Sequence, residues 1–307
     1  MAAMAAMAAM LMCGALAPQT MRASAPQMMD SQLRERMPNT FLSFQPTFAV
    51  SDWAAAGRIM EEYVERARSE PGCSYCGWTR SSDLLFISEA HNGPDALLDH
   101  LGGVQPYIDK LLAGPATLER VQLHGPEASI GACRSAIDGL STGLSADCFT
   151  SQPGAFSFFS KQTGGMRTGQ TICSCKPLLR VTDWEAAQPI MDEYLERTAT
   201  EPGCIYSGFT RCGDSLLFIR EAHSNADAVL IHLANVAPLL RRLCDGPATL
   251  AGVEVHAPSM QLARIREAAP LEDLFGGIEA KYFALGGGFQ RFEAWSSYVA
   301  QPKVRFG

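Results

Sequence analysis

The chain has 307 residues, enough for two domains of ordinary size that each bury a core. Hydrophobic residues make up 47% and charged residues 19%, and the net charge of −7 excludes the basic face that a nucleic-acid partner requires. Beyond the N-terminus there is no apolar run of the ~18 residues needed to span a bilayer, so no internal membrane span is expected.

Residues 1–17 are a low-complexity apolar run ending Ala15-Leu16-Ala17, followed by an Ala/Ser/Met-rich stretch with Arg22 and no acid before Asp30. This suits a bipartite plastid-targeting leader or, alternatively, a disordered tail on a soluble cytoplasmic protein. Residues 1–37 are therefore set aside from the fold.

Phe41 to Val50, aromatic and β-branched, predicts a strand, with Pro46 suiting an edge or bulge. Ser51 or Asp52 caps a helix in which Trp53, Ile59, Met60, Tyr63 and Val64 recur at helical spacing. It stops at Glu70-Pro71-Gly72, because proline disfavours helical geometry in the preceding residue and glycine permits a tight turn. Cys73 to Arg80 is a second strand, Ser81-Ser82-Asp83 a hairpin turn and Leu84 to His91 a third strand. Pro94 starts a second helix carrying Leu97, His100, Leu101, Val104, Ile108 and Leu111, with a break or kink expected at Gly102-Gly103 and Pro106. Leu118 to His124 is a fourth strand. The order β-α-β-β-α-β is the ferredoxin-like arrangement of an α+β fold.

The pattern is written twice. Glu70-Pro-Gly-Cys-Ser-Tyr-Cys-Gly-Trp-Thr-Arg80 returns as Glu201-Pro-Gly-Cys-Ile-Tyr-Ser-Gly-Phe-Thr-Arg211, with eight of eleven positions identical at an offset of 131. After the hairpin turn, which gains a residue, the offset is 132, and the six histidines pair as His91 with His223, His100 with His232, and His124 with His256. Each copy runs on into a helical segment (127–139 and 260–269) and a C-terminal hairpin, with Gly286-Gly287-Gly288 placed at the second turn. The division expected is module 1 over 38–159, a linker over 160–170, module 2 over 171–295 and a tail over 296–307. Strand Leu84-Leu85-Phe86-Ile87 is apolar on both faces, so the two sheets are expected to bury their second faces against each other. Among ten cysteines, Cys73-x-x-Cys76 and Cys173-x-Cys175 have metal-like spacing, but Ser207 replaces Cys76 in the second copy. No further CxxC completes a zinc set, so buried or free thiols and no cofactor are expected.

With Glu70-Pro71-Gly72-Cys73, Tyr75, Trp78, Glu89-Ala90-His91 and His100-Leu101, and with Glu201 to Cys204, Tyr206, Phe209, Glu221-Ala222-His223 and His232-Leu233, the chain resembles the antibiotic biosynthesis monooxygenase (ABM) family of dimeric α/β-barrel proteins. The resemblance covers about 80 residues per copy. It implies two ferredoxin-like modules paired as an intramolecular barrel, and a cofactor-independent monooxygenase acting with O2 on a small aromatic or quinol. In such chemistry the protein supplies an apolar cavity, a base and exclusion of water.

The candidate catalytic residues are His100 and His232, where the family often places a helix histidine and where a capped helix histidine explains them equally, with Glu89, Glu221, His91 and His223, for which an edge salt bridge is the favoured reading. Candidate substrate contacts are Tyr75 with Tyr206 or Trp78 with Phe209, on opposite strand faces, and Arg80 with Arg211, which could steer an anion or be solvated. His124 and His256 are expected at the rim. The haem-binding branch of the superfamily resembles the chain less, since the first strand has no Asn and Trp78 becomes Phe209. The reading of a different class is a non-catalytic ligand-binding or assembly module whose protein partner meets the hairpin extensions and the tail with Trp295 and Tyr298.

Overall fold

A computed structural model describes residues 35–38, 40–140, 145–159, 167–168, 172–269, 271 and 277–290. The leader up to residue 34, Trp295, Tyr298 and the tail lie outside the described residues. Glu35–Pro38, set aside with the leader, instead forms a strand, β1, paired with a later strand of the first copy.

The first copy comprises β2 (Ser43–Val50), α1 (Trp53–Arg68), β3 (Cys73–Ser81), β4 (Leu84–His91), α2 (Pro94–Leu112), β5 (Ala116–Gly125), α3 (Glu127–Leu140), β6 (Asp147–Ser151) and β7 (Phe156–Phe159). After β8 (Arg167–Thr168), which falls inside the expected linker, the second copy repeats it: β9 (Ser174–Val181), α4 (Trp184–Ala199), β10 (Cys204–Cys212), β11 (Leu216–His223), α5 (Ala226–Cys244), β12 (Ala248–Ala257), α6 (Ser259–Ala268) and β13 (Ala280–Gln290). Asp52 and Asp183 cap α1 and α4 by accepting from Ala55 N and Ala186 N at 3.0 Å. The helix α2 is one element through Gly102-Gly103 and Pro106, without the expected break. Val104, Ile108 and Leu111 are buried and hold it against the sheet, while Pro106 sits on its exposed side.

Ten strands close a barrel in the order β10-β11-β9-β12-β13-β3-β4-β2-β5-β6 and back to β10. Four strands come from each copy, and the joints are the two extensions. The strand β6 runs parallel to β5 and then pairs antiparallel with β10 of the other copy; β13 runs parallel to β12 and pairs antiparallel with β3. Closure removes the open edges of both sheets. The helices cover the outside: α1 and α2 pack on Leu85, Ile87, Cys76 and Trp78, while α4, α5 and α6 pack on Leu217, Ile219, Phe209 and Val255.

The extensions take different forms. In the first copy β6 and β7, separated by Gln152-Pro153-Gly154-Ala155, both lie along β10. In the second, β13 is a single strand of 11 residues along β3, irregular between Leu285 and Gly287. The glycine run makes room for an indole: a Cβ on Gly286 would overlap the Trp78 ring. Phe209, the smaller twin of Trp78, faces no such run.

Candidate functional site

Under the helices each copy buries a network of carboxylates and histidines. In the first, His100 on α2 lies between Glu70 Oε2, 2.6 Å from Nδ1, and Glu89 Oε2, 2.9 Å from Nε2. Tyr63 donates to Glu89 Oε1 at 2.7 Å and sits 3.1 Å from His100 Nε2. His91 Nε2 reaches Glu89 Oε2 at 3.1 Å, and the Cys76 thiol points at Glu89 Oε1. The second copy repeats this: His232 meets Glu201 at 2.9 Å and Glu221 at 2.8 Å, with Tyr194 3.0 Å from Nε2 and Ser207 donating to Glu221 at 3.2 Å. His223 is looser, 3.9 Å from Glu221. Asn235 donates to Glu201 at 2.7 Å; its twin is Gly103, where a Cβ would overlap the Arg66 guanidinium that pairs with Glu70 at 3.6 Å. Glu201 thus gains a second hydrogen-bond donor in Asn235, whereas Glu70 has only the longer ion pair with Arg66 in that place.

Burial alone would neutralise these histidines. Instead burial is outweighed in His100 by Glu89 and Glu70, and in His232 by Glu221 and Glu201, raising both from 6.5 to about 9. Burial pushes the Glu89 and Glu221 carboxyls up, but His100 with His91, and His232 with His223, pull them far below the carboxylate range. Burial, then the neighbouring charged histidine, lowers His91; burial and the same effect lower His223. Each network is therefore one imidazolium held between two carboxylates, beside a neutral imidazole. These are not edge salt bridges: His91, His100, His223 and His232 are fully buried, because α2 and α5 lie over them.

The other sheet face lines the barrel and mixes aromatic with polar side chains. His124 and His256, expected at the rim, are buried inside it. The covers are the extensions: Phe149 stacks on His124 at 4.6 Å and Phe283 on His256 at 4.5 Å. Each imidazole bonds a threonine of the other copy, His124 Nδ1 to Thr210 at 2.9 Å and His256 Nδ1 to Thr79 at 2.8 Å. The Arg120–Glu254 pair crosses between copies at 3.2 Å. Burial, with the Lys176 charge adding to it, holds His256 at about 4, so both partners of its ring see a neutral imidazole at neutral pH.

One cavity of about 100 Å³ opens inside the barrel, and both copies build it. Its walls include twins: Ser43 with Ser174, Tyr75 with Tyr206, and Ala90 with Ala222. It therefore sits on the pseudo-twofold axis. Lys176 and Arg220 also face it, both buried, at positions where the first copy has Gln45 and Ser88. Burial lowers Lys176 from 10.5 to about 7; Glu254 opposes this, while Arg220 and Arg120 add to it.

The structure thus separates the predicted residues. Tyr75 and Tyr206 line the cavity, whereas Trp78 and Phe209 turn outward under the helices. Arg80 and Arg211 stand outside the barrel, over the Trp53 ring at 5.5 Å and the Trp184 ring at 4.2 Å, and do not line the cavity. Of the six catalytic candidates only Glu89 borders the cavity; Glu221, His91, His100, His223 and His232 do not. Lys176 and Arg220 escaped the sequence reading, although a cation in one copy opposite a neutral residue in the other is a visible signal.

No family model matches the chain, and no curated protein does. Among solved structures, MupZ from Pseudomonas fluorescens is 26% identical over 38% of this chain and 90% of its own, with a TM-score of 0.33. A provisionally named monooxygenase from Fusobacterium nucleatum is 11% identical over 71% of this chain and 91% of its own, with a TM-score of 0.45. A haem-binding protein from Thermus thermophilus is 9% identical over 87% of this chain and 98% of its own, with a TM-score of 0.40. The fold is a closed α+β barrel built by two copies within one chain. Among the described residues no helix is long and apolar enough to cross a membrane.

Proposed function

We propose that the chain is a cofactor-independent monooxygenase acting on a small phenol or hydroquinone bound in the barrel cavity. One observation carries this reading: a buried lysine lines a partly open cavity inside the barrel whose walls include Tyr75, Phe86 and Tyr206. With its pKa near 7, Lys176 is partly neutral at neutral pH and can accept the phenolic proton. The anion left behind is the electron-rich form that reacts with O2. A 1,4-hydroquinone and O2 then give a hydroxy-1,4-benzoquinone and water. One oxygen atom replaces a ring hydrogen, the other leaves as water, and the ring supplies all four electrons.

Size narrows the substrate. A closed apolar cavity of about 150 Å³ admits benzene, so a partly open space of about 100 Å³ favours a single ring over a fused system, with its substituents towards the open side. In this scheme Glu221, which alternates with cavity-lining Arg220 and Ala222, is a positioning residue, and Glu89 borders the cavity while its carboxylate is held by Tyr63 and His100. His100 and His232, with His91 and His223, hold those strands against the helices.

Oxygen consumption by metal-free protein, measured with monocyclic hydroquinones, tests the reading. Turnover is expected in the wild type, and Lys176→Gln should lower kcat by roughly 10²- to 10⁴-fold, the usual contribution of a general base. The second reading, a binding module without turnover, is favoured by the separation of the histidine networks from the cavity. Binding of such phenols with no oxygen consumption would select it.

A further inference from the structure

The two copies match closely in the barrel interior except at a few positions. Ser43, Tyr75, Thr79 and His124 face Ser174, Tyr206, Thr210 and His256 as like for like. Gln45 and Ser88 become Lys176 and Arg220, each only 4% exposed. The first copy completes the same strands with neutral side chains, so closing the barrel does not require these charges. They are also unfavourable, since removing a cation from water costs several kcal/mol when nothing compensates.

No carboxylate inside pairs with them: Lys176 feels Glu254 only at a distance, and Arg220 leans on Tyr206. Glu254 is engaged by Arg120 at 3.2 Å and by His256 at 3.4 Å. Among the described residues neither Lys176 nor Arg220 forms an ion pair, and Arg220 Nε is buried without a hydrogen-bond partner. The guanidinium lies over aromatic rings, 5.1 Å from the centre of Phe41 and 5.8 Å from that of Tyr206. Lys176 Nζ lies 4.2 Å from the Phe86 ring centre. Two cationic heads thus converge on one small aromatic-walled space.

We infer that the cavity is a site for a small planar carboxylate, anchored by Arg220, so that the substrate class is a single-ring hydroxy-aryl carboxylate. A guanidinium is permanently charged and presents paired donors that match a carboxylate. The permanent charge of Arg220 calls for one permanent negative charge on the ligand. The second cation answers a different group. Before proton transfer the site holds Arg220 with carboxylate and neutral Lys176 with neutral phenol; afterwards it holds two ion pairs. Both states are electrically balanced. The phenol half of this assignment rests on the monooxygenase reading; the carboxylate half does not.

Calorimetric titration of the full chain with benzoate and with benzamide isolates the carboxylate half, because neither has a phenol to be oxidised. The wild type should bind benzoate at least tenfold more tightly than benzamide. Arg220→Ser, which installs the residue of the first copy, should erase that preference while benzamide binding persists. Undetectable benzoate binding, or equal affinity for the two in the wild type, overturns the inference without any variant. A preference that survives Arg220→Ser overturns the assignment to Arg220. Benzoate selectivity with no oxygen uptake on any phenol would leave the carboxylate half standing and remove the oxygenase reading with the phenol half; uptake with neutral hydroquinones and no selectivity would do the reverse.

Discussion

Replacing Lys176 with glutamine should stabilise the empty protein, by an amount that depends on pH. The amine falls from 10.5 in the unfolded chain to about 7 in the barrel, first through burial. A depressed lysine means that the unfolded state binds more protons between those values, so stability rises as pH climbs from 7 to 10.5. Below pH 7 the whole difference is a penalty, which at about 1.4 kcal/mol per pH unit amounts to roughly 5 kcal/mol. Relaxation and water entry around a real buried lysine reduce this, and a gain of about 2–4 kcal/mol at pH 6 is expected for Lys176→Gln. Gln45 at the twin position shows that the side chain fits the strand. Urea denaturation at pH 6, 8 and 10 measures the effect, and the variant's advantage should shrink towards zero at pH 10. A loss of stability at pH 6, or a gain that does not vary with pH, refutes the argument that Lys176 is held in the barrel against its own hydration.

Removing the imidazolium of a network has the opposite sign. His100→Ala leaves Glu70 and Glu89 buried without their shared cation and should cost about 3–5 kcal/mol in the same denaturation assay. In the Lys176→Gln background, His100 and His232, raised from 6.5 to about 9, contribute stability that is complete below pH 6.5 and lost as pH rises through 9. Glu89 and Glu221, depressed by those histidines, contribute above pH 4.5 and lose it in acid, while the depressed His91, His124, His223 and His256 cost stability as pH falls below 6.5, so the midpoint should be highest near pH 6.5. Gly286→Ala should destabilise by about 1–3 kcal/mol through overlap with the Trp78 indole, and Trp78→Phe should rescue it, as read by denaturant midpoints.

The architecture was legible because it rests on local chemistry written twice. Pro71-Gly72 ends a helix, Pro94 starts one, and matched spacing repeats the order of elements. Which strand face lines the barrel was not legible. On β4, Leu85 and Ile87 face helices and Phe86 faces the interior, so hydropathy alone does not distinguish them. Likewise Glu89 and His91 end a strand, a position that reads as an edge until α2 is folded across it. His124 read as a rim residue because Phe149, which covers it, lies 25 residues further along the chain. The cationic centre depended on comparing the copies for their differences rather than their matches, since Lys176 and Arg220 belong to no motif.

Joining the two copies in one chain has a consequence for that centre. In a homodimer, a residue beside the twofold axis is present twice, and any substitution there is made twice. Arginine at position 88 as well as 220 would set two guanidinium groups facing each other across about 100 Å³. Covalent linkage lifts this constraint: one half can acquire a charge while the other keeps serine. The barrel can therefore hold a ligand whose two ends differ, which a symmetric dimer can do only by having the ligand choose between two equivalent poses.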